Sequence, residues 1–334
     1  MNPAELFDRF QALNIVIIGD IMIDRYLHGS VDRISPEAPV PVVHLSSEEN
    51  RLGGAANVAL NIQALGATPY LFSAIGDDEN GKLLESLLPA AAISADYLRR
   101  SSSRTTTVKT RVIAQHQHLL RVDREDTASL TEADGTALLA QLRALLDQQT
   151  IHLILFQDYN KGVLTPTLIQ GVIREATQRN IPTAVDPKYD NFWAYENVTL
   201  FKPNLREIQQ QVDPHLRPEA ASLAAAAAVV RGRLNNQYTM ITLSDKGLFI
   251  QGEGQMEIIP TQARSIADVC GAGDTVISVA ALGLALGIDL REIAVLANLA
   301  GGQVCEKVGV VPVDSTQLQR EYRALLADPN PSST

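Results

Sequence analysis

Cysteine is scarce: the 334 residues contain two, Cys270 and Cys305. Two thiols cannot build a disulfide framework, and nothing in the sequence points to an oxidising compartment. The sequon at Asn197, Val198 and Thr199 therefore carries no weight. Long apolar runs are missing as well. The longest mostly apolar stretch, Ile277 to Ile288, has 12 residues, short of the roughly 18 that span a bilayer. The first residues, MNPAELFDRFQALN, hold acids where a secretion signal would hold positive charge. No leader is expected, and a cytoplasmic location is. Positive charge is in deficit: 28 Lys and Arg stand against 38 Asp and Glu, a net charge of −10. That balance argues against nucleic acid or a membrane surface as partner.

Several familiar motifs are also lacking. Gly76 to Lys82 spells GDDENGK, but Leu83 follows where a P-loop needs Ser or Thr. Three acids inside it would repel phosphate, so a strand-to-helix turn is the better reading. No GxGxxG follows the first expected strand, which disfavours a dinucleotide fold. There is no GxSxG elbow. His116 and His118 share strand spacing, but no Cys lies nearby to complete a metal site, and a polar lid surface is the plainer reading.

What remains is a 46% hydrophobic, 20% charged chain, enough for a large core in one or two domains. Short apolar runs at Ile15–Ile18, Tyr70–Ile75, Ile151–Phe156, Thr183–Val185 and Met240–Leu243 predict buried strands. Helix-period stretches separate them: Ala55–Leu65, Leu83–Leu88, Glu132–Leu146, Thr167–Gln178 and Pro218–Leu234. A hairpin after Phe249 and helices starting near Gly273, Leu290 and Ser315 complete the pattern. This alternation predicts an α/β fold with a mostly parallel sheet between two helical layers. Residues 26–52 and 104–122 break the rhythm and are expected to pair as a small β lid. The last residues, 331–334, are expected to fray.

The segment ADVCGAGDTVISVAA, Ala267 to Ala281, carries the sharpest chemistry. Gly271, Ala272 and Gly273 precede an apolar helix, whose unpaired N–H groups form an anion hole. Asp274 sits at that helix start. A carboxylate beside an anion hole suits phosphoryl transfer, the acid taking a hydroxyl proton while the amides hold the phosphate. A glycine turn with Asp as a simple cap stays open as the alternative. Gly53 and Gly54 allow close backbone approach, and Asn57 offers donor and acceptor to sugar hydroxyls, or else the segment is a turn and helix cap. Asp24 ends the GDIMID segment, where open α/β sheets present ligand-binding side chains.

These segments resemble the two signatures of the ribokinase-like (PfkB) carbohydrate kinases: GGAAN continuing VALNIQALGA, and GAGD before a small-residue helix. The resemblance runs over nearly the whole chain and implies a three-layer α/β/α kinase domain over residues 1–330. It implies ATP and Mg²⁺ as cofactors, with Asp274 as base and Asp24 as the sugar-binding acid. Asn204 and Glu207 in KPNLREI match the family's N-x-x-E, which holds magnesium indirectly through water or phosphate; a lone NxxE also reads as a helix cap. Ser244 and Gly247 in TLSDKG match the turn beside the nucleotide, and Asn298 the adenine-side wall. A monovalent cation near Asp268 is implied too. Cys270 stands where relatives often carry a hydroxyl residue, and a redox role for it is the weaker reading. A homodimer through the β lid follows from the same likeness.

Within the family, GDIMIDRYLHGSVDRISPEAPVPVV, DYNKGVLT and VDPKYDNFW resemble the branch that phosphorylates D-glycero-β-D-manno-heptose 7-phosphate at its anomeric carbon. The nucleotidyl transfer that follows is then expected on a separate chain. A phosphosugar needs cations, and residues 99–124 carry seven basic residues and one acid, +6, leaving −16 elsewhere. Lys161 and Lys188 follow strand ends and are expected to line the sugar-phosphate pocket, with Arg104 beside them. A solvated basic lid face is the alternative for the arginines. A fructokinase-like enzyme for another sugar or sugar phosphate, and a non-catalytic sugar-binding regulator, stay open.

Overall fold

The computed structural model describes residues 2–115 and 117–327. In chain order the elements are α1 (Pro3–Phe10), β1 (Asn14–Gly19), β2 (Ile21–Ile34), β3 (Pro41–Gly54), α2 (Ala55–Ala64), β4 (Thr68–Gly76), α3 (Glu79–Ala90), β5 (Leu98–Ser101), β6 (Val108–Ala114) and β7 (Gln117–Arg124). The second half holds α4 (Glu132–Gln148), β8 (Leu153–Gln157), α5 (Pro166–Gln178), β9 (Thr183–Asp186), β10 (Leu200–Phe201), α6 (Leu205–Gln211), α7 (Ala220–Leu234) and β11 (Tyr238–Thr242). It closes with β12 (Leu248–Gly252), β13 (Gln255–Ile259), α8 (Ala272–Ala285), α9 (Leu290–Val304) and α10 (Ser315–Ala327).

The main sheet runs β13-β12-β11-β10-β9-β8-β1-β4-β5. From β5 to β11 all neighbours are parallel, and the β12–β13 edge is antiparallel. Alternation along β1 sends Ile15 and Ile17 to one face and Val16 and Ile18 to the other, and all four are fully buried. Helices α2, α8 and α9 cover the first face; α4, α5 and α7 cover the second. Both faces being buried explains why these strands read as continuous apolar runs. No helix among the described residues is long and apolar enough to cross a membrane.

A second sheet, β3-β2-β6-β7, stands apart as the lid. Its strands span 21–54 and 108–124, against the 26–52 and 104–122 read from composition: the first stretch is longer at both ends, the second is displaced toward the C-terminus, and β2 begins inside the core. Ile21, Met22 and Ile23 are buried, so the start of the lid looked like a continuation of the first strand. The GDDENGK segment is a strand-to-helix turn: Gly76 ends β4 and the Asp78 carboxylate caps α3 by accepting from the Gly81 N–H at 2.7 Å. His118 lies exposed on β7; its expected companion His116, and the tail 331–334, lie outside the described residues. Among the described residues no cluster of three or more His, Cys, Asp or Glu could hold a metal ion.

Candidate active site

The chain leaves β1 toward β4 on one side, and the strand on the other side of β1 is β8. This reversal opens a crevice at the carboxyl ends of β1 and β8, where open α/β sheets bind ligands. The two ends approach closely: a Cβ on Gly19 would stand 2.0 Å from the Gln157 carbonyl oxygen, so only glycine fits. Asp20, 1% exposed, follows at once. Its carboxylate accepts the N–H groups of Tyr159 (2.9 Å), Lys161 (3.0 Å) and Val163 (3.0 Å), fixing the loop after β8. Burial still lifts its carboxyl above the ordinary aspartate range.

Over the crevice stands the amino end of α8. Gly271 takes the left-handed conformation (φ 79°) that turns the chain into the helix. Asp274 lies in the first turn, 4% exposed. Its Oδ1 accepts the Tyr159 hydroxyl at 2.6 Å and the Gln157 side-chain N–H at 3.2 Å; its Oδ2 accepts the Asn57 side-chain N–H at 2.8 Å. Burial raises its pKa to about 6, against the opposing pull of the Asn57 and Tyr159 donors. A carboxylate with that pKa at the positive end of a helix is suited to accept a proton near neutral pH.

Asn57 reaches this point from α2. The turn before it needs Gly54: φ is +61°, and a Cβ would stand 2.4 Å from the Asp20 carbonyl oxygen. Beside it Gly53 leaves room for Asp24, whose Oδ2 lies 2.2 Å from where a Cβ would be. Asp24, on β2, pairs with Arg111 of β6. The structure thus brings Asp24, Gly53, Gly54, Asn57, Gly271–Gly273 and Asp274 together from three separate chain segments. Asn57 has its donor committed to Asp274, an arrangement that spacing alone did not indicate.

The remaining candidates follow along the strand ends. Lys188, after β9, pairs with Glu207; burial pulls its ammonium down, but Asp186 and Glu207 outweigh this and hold it charged. Glu207 and Asn204 form a capping box at the start of α6, each side chain accepting the other's backbone N–H at 2.9 Å. Asn204 also bridges to Thr242 at the end of β11. There Ser244 and Gly247 bound a single 3₁₀ turn with φ of 58° and 96°. Asn298 is tied to the backbone, donating to the Pro260 carbonyl at 2.9 Å. Lys161 pairs with Glu125 at 2.8 Å, and Arg104 donates to the Lys161 carbonyl at 2.5 Å, so Arg104 braces this loop. Asp268 accepts the N–H groups of Cys270 and Gly309, both at 3.0 Å. Burial and Asp268 push the Cys270 thiol up to about 11, so it stays protonated and poorly reactive.

Five residues escaped the sequence reading: Asp20, Gln157, Asp186 and Lys202, all buried, and the half-buried Tyr159. Lys202 is 2% exposed and pairs with Asp186 at 3.0 Å, below the glycine turn. All five sit at, or within two residues of, the carboxyl end of a parallel strand, and that position was the available signal.

The described geometry has relatives. The pfkB family carbohydrate kinase profile matches residues 12–317. A bifunctional protein HldE of Methylobacillus flagellatus is 39% identical over 312 residues, which cover 93% of this chain and 63% of that protein. One from Pseudomonas paraeruginosa is 41% identical over 313 residues, 93% of this chain and 64% of that protein. The chain thus spans a little under two thirds of the length of these curated relatives. Phosphofructokinase-2 of Escherichia coli in complex with potassium superposes with a TM-score of 0.78 at 19% identity, covering 94% of this chain and 99% of that one. Arabidopsis thaliana ribokinase complexed with ribose and ATP gives 0.70 at 16% identity, covering 92% and 99%.

Proposed function

Because the chain belongs to the pfkB family of carbohydrate kinases, we propose that it moves the γ-phosphoryl group of ATP to the anomeric hydroxyl of D-glycero-β-D-manno-heptose 7-phosphate. The products are the 1,7-bisphosphate and ADP. One observation carries the reading: a buried carboxylate, Asp274, with a pKa of about 6, beside the anion-binding turn of Gly271, Ala272 and Gly273. The heptose preference is supported by the 19–43, 158–165 and 185–193 segments and by the likeness to HldE proteins.

In this mechanism Asp24 orients sugar hydroxyls and Gly53–Gly54 let the ring approach the backbone. Asp274 takes the proton of the anomeric hydroxyl, whose oxygen attacks the γ-phosphorus as the bond to ADP breaks. The amides of residues 271–273 stabilise charge on the transferring group. Ser244, Gly247 and Asn298 are assigned to the nucleotide side; Lys188, expected at the sugar phosphate, is engaged by Glu207. Magnesium suits the donor set only through phosphate and water, because Glu207 and Asp186 are already engaged by Lys188 and Lys202. Asn204 and Glu207 would hold that hydrated ion, which supplies charge neutralisation when bound. Asp268, with both oxygens on backbone N–H groups, is proposed to flank a monovalent cation.

The exposed apolar side chains of Leu119, Leu120 and Val122 on β7 support a homodimer through the lid. The reaction is placed in the cytoplasm. Nucleotidyl transfer to the product is assigned to protein outside these 334 residues.

The test is a ³¹P NMR assay of ATP with heptose 7-phosphate, other sugar phosphates and free sugars. Formation of the 1,7-bisphosphate is expected at the highest kcat/KM. Asp274→Asn should keep ATP binding and lose about 10²- to 10⁴-fold in kcat. Preferred transfer to fructose 6-phosphate or to a free sugar would overturn the heptose reading.

A further inference from the structure

Lysines around the reaction centre are spoken for: Lys161 by Glu125, Lys188 by Glu207 and Lys202 by Asp186. Lys109 departs from this. It lies on β6 of the lid, in register with Asp24 on β2 and with Asp123 on β7. Both neighbouring carboxylates are taken. Arg111 holds Asp24, and Arg121 holds Asp123 at 2.9 and 3.0 Å. Among the described residues Lys109 has no carboxylate and no hydrogen-bond acceptor. Its contact is the face of Tyr159, with Nζ 5.3 Å from the ring centroid. Burial pushes its ammonium below the usual lysine range, against the opposing pull of the Asp24 charge and with the Lys161 charge adding to the effect.

A half-buried ammonium without an anion is costly unless its partner arrives with the ligand. The place of Lys109 identifies that ligand group. The phenol whose ring it covers hands its hydroxyl to Asp274 at 2.6 Å. The ammonium and the proposed base therefore stand at two sides of one tyrosine side chain. The anion hole and Lys202 lie on the α8 side, whereas Lys109 lies on the lid beside Asp24, the proposed holder of the sugar. An ammonium with three rotatable donors suits a tetrahedral phosphate, which needs no planar fork.

We propose that Lys109 anchors the terminal phosphate of the sugar and makes the site select phosphorylated over free sugars. This inference rests on the kinase reading, because it takes the reacting end of the sugar to lie at Asp274. Since Lys109 belongs to the lid, the substrate's phosphate also holds the lid to the main domain.

The test measures binding, separately from turnover. Dissociation constants for heptose 7-phosphate and for the same heptose without phosphate are obtained by calorimetry on the full chain, Lys109→Met and Lys109→Arg. The methionine variant should weaken phosphosugar binding about 10- to 100-fold, with at most a few-fold change for the free heptose. Arginine should restore most of the preference. Equal losses for both ligands, an unchanged phosphosugar affinity, or a full chain with no preference for the phosphate would each overturn the inference. Lys109→Gln serves in the same way should the methionine variant lose its melting transition. Binding with the expected preference but no phosphoryl transfer would instead overturn the kinase reading and leave the anchor standing.

Discussion

Asn57 and Asp274 are 217 residues apart in the chain, yet the side-chain N–H of Asn57 donates to Oδ2 of Asp274 at 2.8 Å, both residues being buried. The bond ties the amino end of α2 to the amino end of α8. It joins the glycine turn that receives the sugar to the one proposed to receive phosphate. A hydrogen bond to the ionised form favours ionisation, so Asn57 opposes the burial that raises the Asp274 carboxyl.

Asn57→Ala should therefore act through the base. Removing the donor leaves burial less opposed, and the acid limb of the kcat profile moves to higher pH. At pH 7 kcat should fall about 10-fold or more, while the KM for sugar changes a few-fold at most. A large rise in KM with an unmoved pH profile would return Asn57 to a direct sugar contact.

Tyr159→Phe tests the second donor. The base must be ionised, so kcat should rise with pH through about 6 in the native chain. The phenylalanine variant loses the 2.6 Å hydrogen bond to Oδ1, which again disfavours the charged form, and its limb shifts upward. Rates of the two proteins should converge above pH 8, where Asp274 is ionised in both. A pH-independent kcat between pH 5 and 8 in the native chain would remove Asp274 from the rate-determining proton transfer.

The layered sheet was legible in the sequence because apolar runs and helical periods alternate, and the two glycine turns because small residues precede apolar helices. Asp24, Asn57 and Asp274 could be singled out one by one. Their meeting could not, since it depends on β2 leaving the core as a lid strand and on α2 packing against α8. β10, two residues long, carries no periodic signal. Tyr159 and Lys202 were hidden for a related reason: a tyrosine in a loop and a lysine before a proline gain meaning from the strand ends around them. The basic segment at 99–124 was visible as charge, but which cation lacks a partner is decided by cross-strand pairing.

Lys202→Met should cost stability. The ammonium is 2% exposed and lies 3.0 Å from Asp186. Without it the buried Asp186 carboxylate keeps a weak contact from Gln157 at 3.3 Å and the charge of Lys188, which Glu207 already engages. Removing one partner of a buried pair costs about 3–5 kcal/mol. Urea unfolding should show that loss, and adding Asp186→Asn should recover part of it. An unchanged midpoint would mean that water already compensates Asp186.

Gly53→Ala tests the seat of the sugar-binding acid. A Cβ at this position would stand 2.2 Å from Asp24 Oδ2 and 3.0 Å from the Met22 side chain. The carboxylate is not free to yield, because Arg111 of β6 holds it from the other side. The methyl group must therefore push Asp24 out of its pairing or spread β3 from β2. Either displacement moves the acceptors that face the sugar while the glycine turn at 271–273 and Lys202 stay in place. The KM for sugar should rise at least about 10-fold, the loss of one charged hydrogen bond, with the ATP dissociation constant within about threefold of the native value. The thermal midpoint should drop by a few degrees, consistent with about 1–3 kcal/mol of overpacking. Adding Asp24→Ala to Gly53→Ala relieves the clash with the carboxylate but leaves Arg111 without its partner, so neither the midpoint nor the KM recovers. A double variant that regains native sugar affinity would show that Asp24 does not hold the substrate.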